Sequence, residues 1–283
     1  MRRGNRRIAV MLAAILFLLT CAAPGASAAG IIVTRTEMSL TTTRHGLDVV
    51  LDVYNDGTDV ARNVLPTITV FGREIPGPAW ETLEPEHHET ARFHVPYPDK
   101  AAGTWPVVLR TLYYDEGWRP FSAVHCAVFT VGEKTEPGLD AFMEIFSLPG
   151  RGTLDVLIQN LSGRDRKVSA RLVVPREFSC DRPEATILAP ADDMAEAAFF
   201  VMNAHATPSD VYPVFCVVEW DENGRHHTVL TQDSVVVDEP GKWFERTREV
   251  WAGLGAAAAL CFFALRIADR RKDKEHAGGQ SGD

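Results

Sequence analysis

Between residues 31 and 238 the apolar positions recur in short alternating runs, broken by Gly, Pro, Asn and Asp. Val49, Leu51 and Val53 alternate with Val50, Asp52 and Tyr54; Leu154, Val156 and Ile158 alternate with Asp155, Leu157 and Gln159. A period of two puts each trio on one face of a pleated strand. The region has no long stretch with helical periodicity. The pattern predicts an all-β sandwich architecture.

The two halves of this region also match each other. Val49-x-Leu51-x-Val53-x-Asn55 answers Leu154-x-Val156-x-Ile158-x-Asn160, and Leu83-Glu84-Pro85 answers Leu188-Ala189-Pro190. Trp105-Pro106-Val107, Tyr113 and Asp115-Glu116-Gly117 answer Tyr212-Pro213-Val214, Trp220 and Glu222-Asn223-Gly224. The spacing is 105 to 107 residues throughout. Such self-similarity marks a duplicated unit, and the period is that of one Ig-sized sandwich of ~100 residues. Two Ig-like β-sandwich domains are expected at 31–132 and 139–238, joined by a polar Pro/Gly linker at 133–138. Asn223-Gly224 predicts a type I′ hairpin turn, since both central residues need positive φ.

The ends read differently. Arg2, Arg3, Arg6 and Arg7 precede an apolar run from Ile8 to Leu19, and Ala26-Ser27-Ala28 follows. This is the order of a secretory signal peptide, expected at 1–28 with cleavage after Ala28. Leu18-Leu19-Thr20-Cys21 resembles a lipoprotein lipobox, with Thr20 where a smaller residue is usual. At the other end Val250 to Leu265 is apolar throughout, and Arg266 follows. With Arg266 snorkelling, a transmembrane helix over 250–268 is expected. Trp243, Phe244 and Trp251 stand where an interfacial aromatic belt would be. A juxtamembrane stretch at 239–249 would precede the helix, and a short tail at 269–283, opening on a basic cluster, would be cytoplasmic. The bulk of the chain is then extracytoplasmic.

Certain residues carry a resemblance. Val53-Tyr54-Asn55-Asp56-Gly57 followed by Val60-Ala61-Arg62-Asn63-Val64 resembles the opening of the bacterial cell-adhesion-related (CARDB) domain. Ile158-Gln159-Asn160, Val173-Val174-Pro175, Leu188-Ala189-Pro190 and Tyr212 resemble the alpha-galactosidase-associated accessory β-sandwich, with a departure at the Gly after Asn160. Ala102-Gly103-Thr104-Trp105 echoes the same family's step in the first unit. The resemblance covers most of 45–130 and 152–237. It implies non-catalytic binding or spacer modules at the bacterial envelope, and it supplies no active-site residues.

Charge narrows the partners. Of 29 basic and 38 acidic residues, nine and four lie in the two ends, leaving 20 against 34 in residues 29–249. So acidic a body repels nucleic acid and anionic headgroups, so no nucleic-acid partner is expected. The expected partners are the membrane, crossed once, and a protein or an envelope glycan. No catalytic or nucleotide-binding motif occurs, so the reading is of a protein that is not an enzyme and needs no cofactor. Glu84, Glu86, His87, His88, Glu89 and His94 form the densest His/acid cluster. His88 and His94 could share a strand face, but the run reads as a solvated loop entering a strand, and no metal site is assigned.

Aromatics crowd the first unit. Trp105 and Tyr113 read as core. Trp118, following a turn, and Tyr114 beside it are the candidate ligand-contacting residues, able to stack on a sugar ring or anchor a protein. Of the exported cysteines, Cys126, Cys180 and Cys216, the last two belong to one unit. They either form a disulfide bridge or remain small buried residues.

Overall fold

The computed structural model describes residues 31–237 apart from 146, 147, 149, 208 and 209. The signal peptide, the juxtamembrane stretch, the transmembrane helix and the tail lie outside the described residues. Within them no helix is long and apolar enough to cross a membrane.

The described chain is all-β. Its first half contains β1 (Thr34–Thr42), β2 (Gly46–Asn55), β3 (Ala61–Val70), β4 (Arg73–Pro76), β5 (Trp80–Leu83), β6 (His88–Pro96), β7 (Gly103–Tyr114) and β8 (Pro120–Val131). Its second contains β9 (Leu139–Ile145), β10 (Arg151–Asn160), β11 (Arg166–Val173), β12 (Phe178–Cys180), β13 (Glu184–Ala189), β14 (Met194–Asn203), β15 (Val211–Glu222) and β16 (Arg225–Val236).

Each half forms a β-sandwich. In the first, β1-β2-β6 makes one layer, and β3 with β4, β5, β7 and β8 makes the other. Leu47, Val49 and Leu51 of β2 meet Ile68 and Val70 of β3 and Val107 and Leu109 of β7 in one core cluster. In the second, β12-β14-β10-β9 faces β13-β11-β15-β16. There Leu154, Val156 and Ile158 of β10 meet Val168 and Ala170 of β11 and Val214, Cys216 and Val218 of β15. The alternation in the sequence is this inward face. Each such side chain, taken fully out of water, contributes about 1.5–3 kcal/mol.

The duplication is visible in the strand order. β1-β2-β6 corresponds to β9-β10-β14, and β5-β3-β7-β8 to β13-β11-β15-β16. The same buried Asn closes both units. Asn55, with no exposed surface, donates through Nδ2 to Asp59 O at 2.8 Å and Leu83 O at 3.0 Å, and its Oδ1 accepts from Gly57 N. Asn160 donates to Arg164 O and Ala189 O at 2.8 and 3.0 Å, and accepts from Ser162 N. These bonds correct the sequence register by one residue. Leu83 corresponds to Ala189, both buried, whereas Leu188 is 61% exposed. Asn63 of the other resembling motif sits at a register shift in β3 with φ 49°, a left-handed position that Asn tolerates.

The halves are joined by more than the 133–138 stretch. Val108, Val124 and Cys126 of β7 and β8 pack against Val173, Phe215 and Val217 of β11 and β15 in a separate apolar cluster. At one end β16 meets β7 in parallel register at His226 and Gly103, so the two inner layers become one nine-stranded sheet. β15 is consequently buried on both faces from Val214 to Val218, which is why its sequence is a continuous apolar run.

Candidate functional site

The β7–β8 hairpin projects five residues, Asp115 to Arg119, beyond the last strand pair Tyr114–Pro120. Its geometry is set by Asp115, which is 8% exposed. That carboxylate accepts from Arg119 N at 2.9 Å and from Arg119 Nε at 2.6 Å. Asp115 N donates to Arg119 O, and Trp118 N donates to Asp115 O at 3.0 Å. Burial opposes ionisation of Asp115. The hydrogen bonds from the Arg119 backbone and guanidinium overcome it and hold the carboxyl below its usual range.

Trp118 occupies the crest. It is 63% exposed, and its φ is 59°, a left-handed conformation that a bulky side chain rarely takes. Tyr114 lies beside it, ring centroids 5.9 Å apart and tilted by 54°. Arg62 and Glu116 form a loose ion pair next to them at 3.5 Å. The structure therefore brings the two candidate residues together as a fixed aromatic ledge with charged neighbours. The second hairpin is different: Asn223 and Gly224, φ 52° and 74°, form the two-residue type I′ turn and present no aromatic.

His88 and His94 both point outward from β6. Six strand positions at ~3.4 Å each separate them by about 20 Å, so one metal ion cannot take both. Their partners differ as well. His88 stacks on Tyr54, and His94 Nδ1 lies 2.6 Å from Asp48 Oδ1. No group of three His, Cys, Asp or Glu side chains among the described residues could hold a metal.

The Cys180–Cys216 bridge is not formed; Cys126, Cys180 and Cys216 are free thiols. Cys180 lies on β12, the edge strand of one layer, and Cys216 on β15, an interior strand of the other. Burial pushes Cys126 and Cys216 up to about 12, which leaves them unreactive, and Cys180 is raised for the same reason. Alkylation of folded protein without reductant should label Cys180 and spare the other two. After unfolding all three should label; a persistent mass deficit of one pair would restore the bridge.

Sequence reasoning missed the polar groups at the junction. Glu177, 2% exposed, accepts from Ser122 N at 3.2 and 3.3 Å, and Ser122 Oγ accepts from Arg176 N at 2.7 Å. Burial pushes the Glu177 carboxyl up. Trp105 is half-buried, and its ring stacks on His226 of the other half at 3.8 Å. The one signal for these contacts was a pair of unbroken apolar runs, Val107–Leu109 and Val214–Val218, too apolar for strands with one solvated face.

No family model matches the chain, and no curated protein matches it by sequence. Solved structures similar to it include a mutant Salmonella alpha-2-macroglobulin, 8% identical, with a TM-score of 0.30 over 72% of this chain and 16% of that one. Trypsin-activated alpha-2-macroglobulin from Escherichia coli is 12% identical, with a TM-score of 0.29 over 72% and 18% of the two chains. Red sea bream transglutaminase is 14% identical, with a TM-score of 0.26 over 74% and 32%. The chain spans less than a third of the length of each.

Proposed function

We propose that this is a non-enzymatic, membrane-anchored extracytoplasmic protein of the bacterial envelope, whose joined sandwiches hold the Trp118–Tyr114 ledge out to a protein partner. The observation that carries this reading is the placement of Trp118. Leaving a large indole in water and in a left-handed backbone costs about 1–3 kcal/mol of strain, which structures retain mainly where a function uses it. A fixed, exposed Trp beside Tyr and Arg is the composition of an interface hot spot. The signal-peptide order of residues 1–28 and the apolar run at 250–265 support the location, and the joined β-sandwiches would serve as a spacer between membrane and ledge.

The Trp118→Asn variant tests it, since Asn accepts the left-handed backbone. Its melting temperature should equal or slightly exceed that of the parent. Capture of a single membrane protein from detergent extract should be lost. Unchanged capture would remove the ledge from the reading. The flat indole favours one second reading, a carbohydrate-binding accessory subunit of a separate glycan-active or transport protein. Glycan-array binding that disappears in Trp118→Asn would select it.

A further inference from the structure

We propose that the junction between the two halves is a proton-sensitive clamp, in which a charged His226 ring holds the second sandwich against Trp105 of the first. His226 is the second residue of β16, with its side chain 12% exposed. Its ring lies parallel to the Trp105 indole, centroids 3.8 Å apart and planes 13° apart. Nδ1 is 2.9 Å from Asp221 Oδ1, and Nε2 is 3.1 Å from Glu219 Oε1. A neutral imidazole has one N–H and one lone pair, so it can satisfy only one carboxylate and must aim its lone pair at the other. Imidazolium donates to both. It also gains the attraction of a cation for an indole face.

The surroundings are closed. Trp105 is fixed by its Nε1 donating to Ala101 O at 2.8 Å. His226 N donates to Ala102 O at 3.0 Å, and Thr228 Oγ1 to Thr104 O at 2.8 Å, so the ring pair sits inside a backbone splice between β7 and β16. From β11, Arg171 reaches Glu219 at 3.6 Å. Arg225, next to His226, turns away to Glu133 at 3.7 Å. His227 points to the opposite face and stacks on Trp220, near Glu222 and Arg166. The groups bonded to the His226 ring are therefore both acidic. Burial lowers its proton affinity, but the bonds and charges of Glu219 and Asp221 outweigh burial and hold it above the usual histidine value.

Glu219 and Asp221 stand on β15 in the same hairpin as His226, so they raise its proton affinity whether the junction is open or closed. What closure adds for the charged ring is the Trp105 face, and that attraction is present while the ring is protonated and lost as pH rises through its raised value. The clamp is closed in mildly acidic surroundings and loosens in alkaline ones. Hydrogen exchange of the full-length protein in detergent, corrected for intrinsic rates, reads this at residues 102–105 and 226–229. Protection there should fall as pH rises through the raised value of His226, by about two- to thirtyfold in all, the worth of a cation on an indole face. The Asp221 side chain is 83% exposed, so Asp221→Asn keeps the fold and should shift the fall to lower pH. His226→Gln should abolish it. Protection independent of pH in the parent would overturn the proposal, as would an unshifted fall in Asp221→Asn.

Discussion

Replacing Gly103 with alanine is expected to cost about 3–5 kcal/mol, a large part of the ~5–15 kcal/mol that holds a domain together. Gly103 has φ +124°, outside the regions open to L-residues. A Cβ there would lie 2.0 Å from His226 O and 2.6 Å from His226 N, both backbone atoms of the other half. Neither can move without opening the β7–β16 splice and exposing the apolar cluster of Val108, Phe215 and Val217. Gly72 is the control. It turns the β3–β4 hairpin at φ +69° with open space where a Cβ would go, so Gly72→Ala should cost only about 1 kcal/mol. Urea titration of both variants against the parent measures the contrast. Equal midpoints for the two would mean that the splice does not bear on stability.

The buried Asn staples carry the second large effect. Asn55→Ala removes three hydrogen bonds and strands the carbonyls of Asp59 and Leu83, the latter in the core. One buried acceptor left unpaired costs about 1–3 kcal/mol, and the lost bonds and packing bring the total to roughly 3–4 kcal/mol. Asn160→Ala should cost a similar amount in the second unit. The two Asn side chains share no partner, so the double variant should approach the sum. Chemical unfolding with an unchanged dependence on denaturant would show the loss as stability alone. A loss under about 1 kcal/mol for both would mean water replaces the amide at these corners.

Much of the fold was legible because single-faced strands leave a strong imprint. The trios at Val49–Val53 and Leu154–Ile158 became inward faces, and Asn223-Gly224 became the two-residue turn. Asn55 and Asn160 were visible as a repeated letter, and the structure supplies the reason for it: an amide that ties three chain segments. The register of Leu83 slipped by one because similarity favoured Leu188, although burial and hydrogen bonding select Ala189. What could not be read was the contact between the halves. Strand alternation describes one face at a time, and the second face of β15 is covered by residues nearly a hundred positions earlier. Gly103 showed the same limit. It stood in the sequence as part of a family-like step, while the atom that demands glycine belongs to His226 of the other unit. Trp118 was legible as a candidate because it follows a turn. Its left-handed backbone and its fixation by Asp115 were not, because Asp115-Glu116-Gly117 places the expected special residue one position too early.

If Trp118 meets a partner outside the membrane, as proposed, a photo-crosslinking residue in its place, activated in intact membranes, will capture that partner. The same residue in place of outward-facing His94 on β6 is the control. A discrete crosslinked product from position 118 and none from position 94 is the expected result. No product from position 118, or the same products from both, would contradict it.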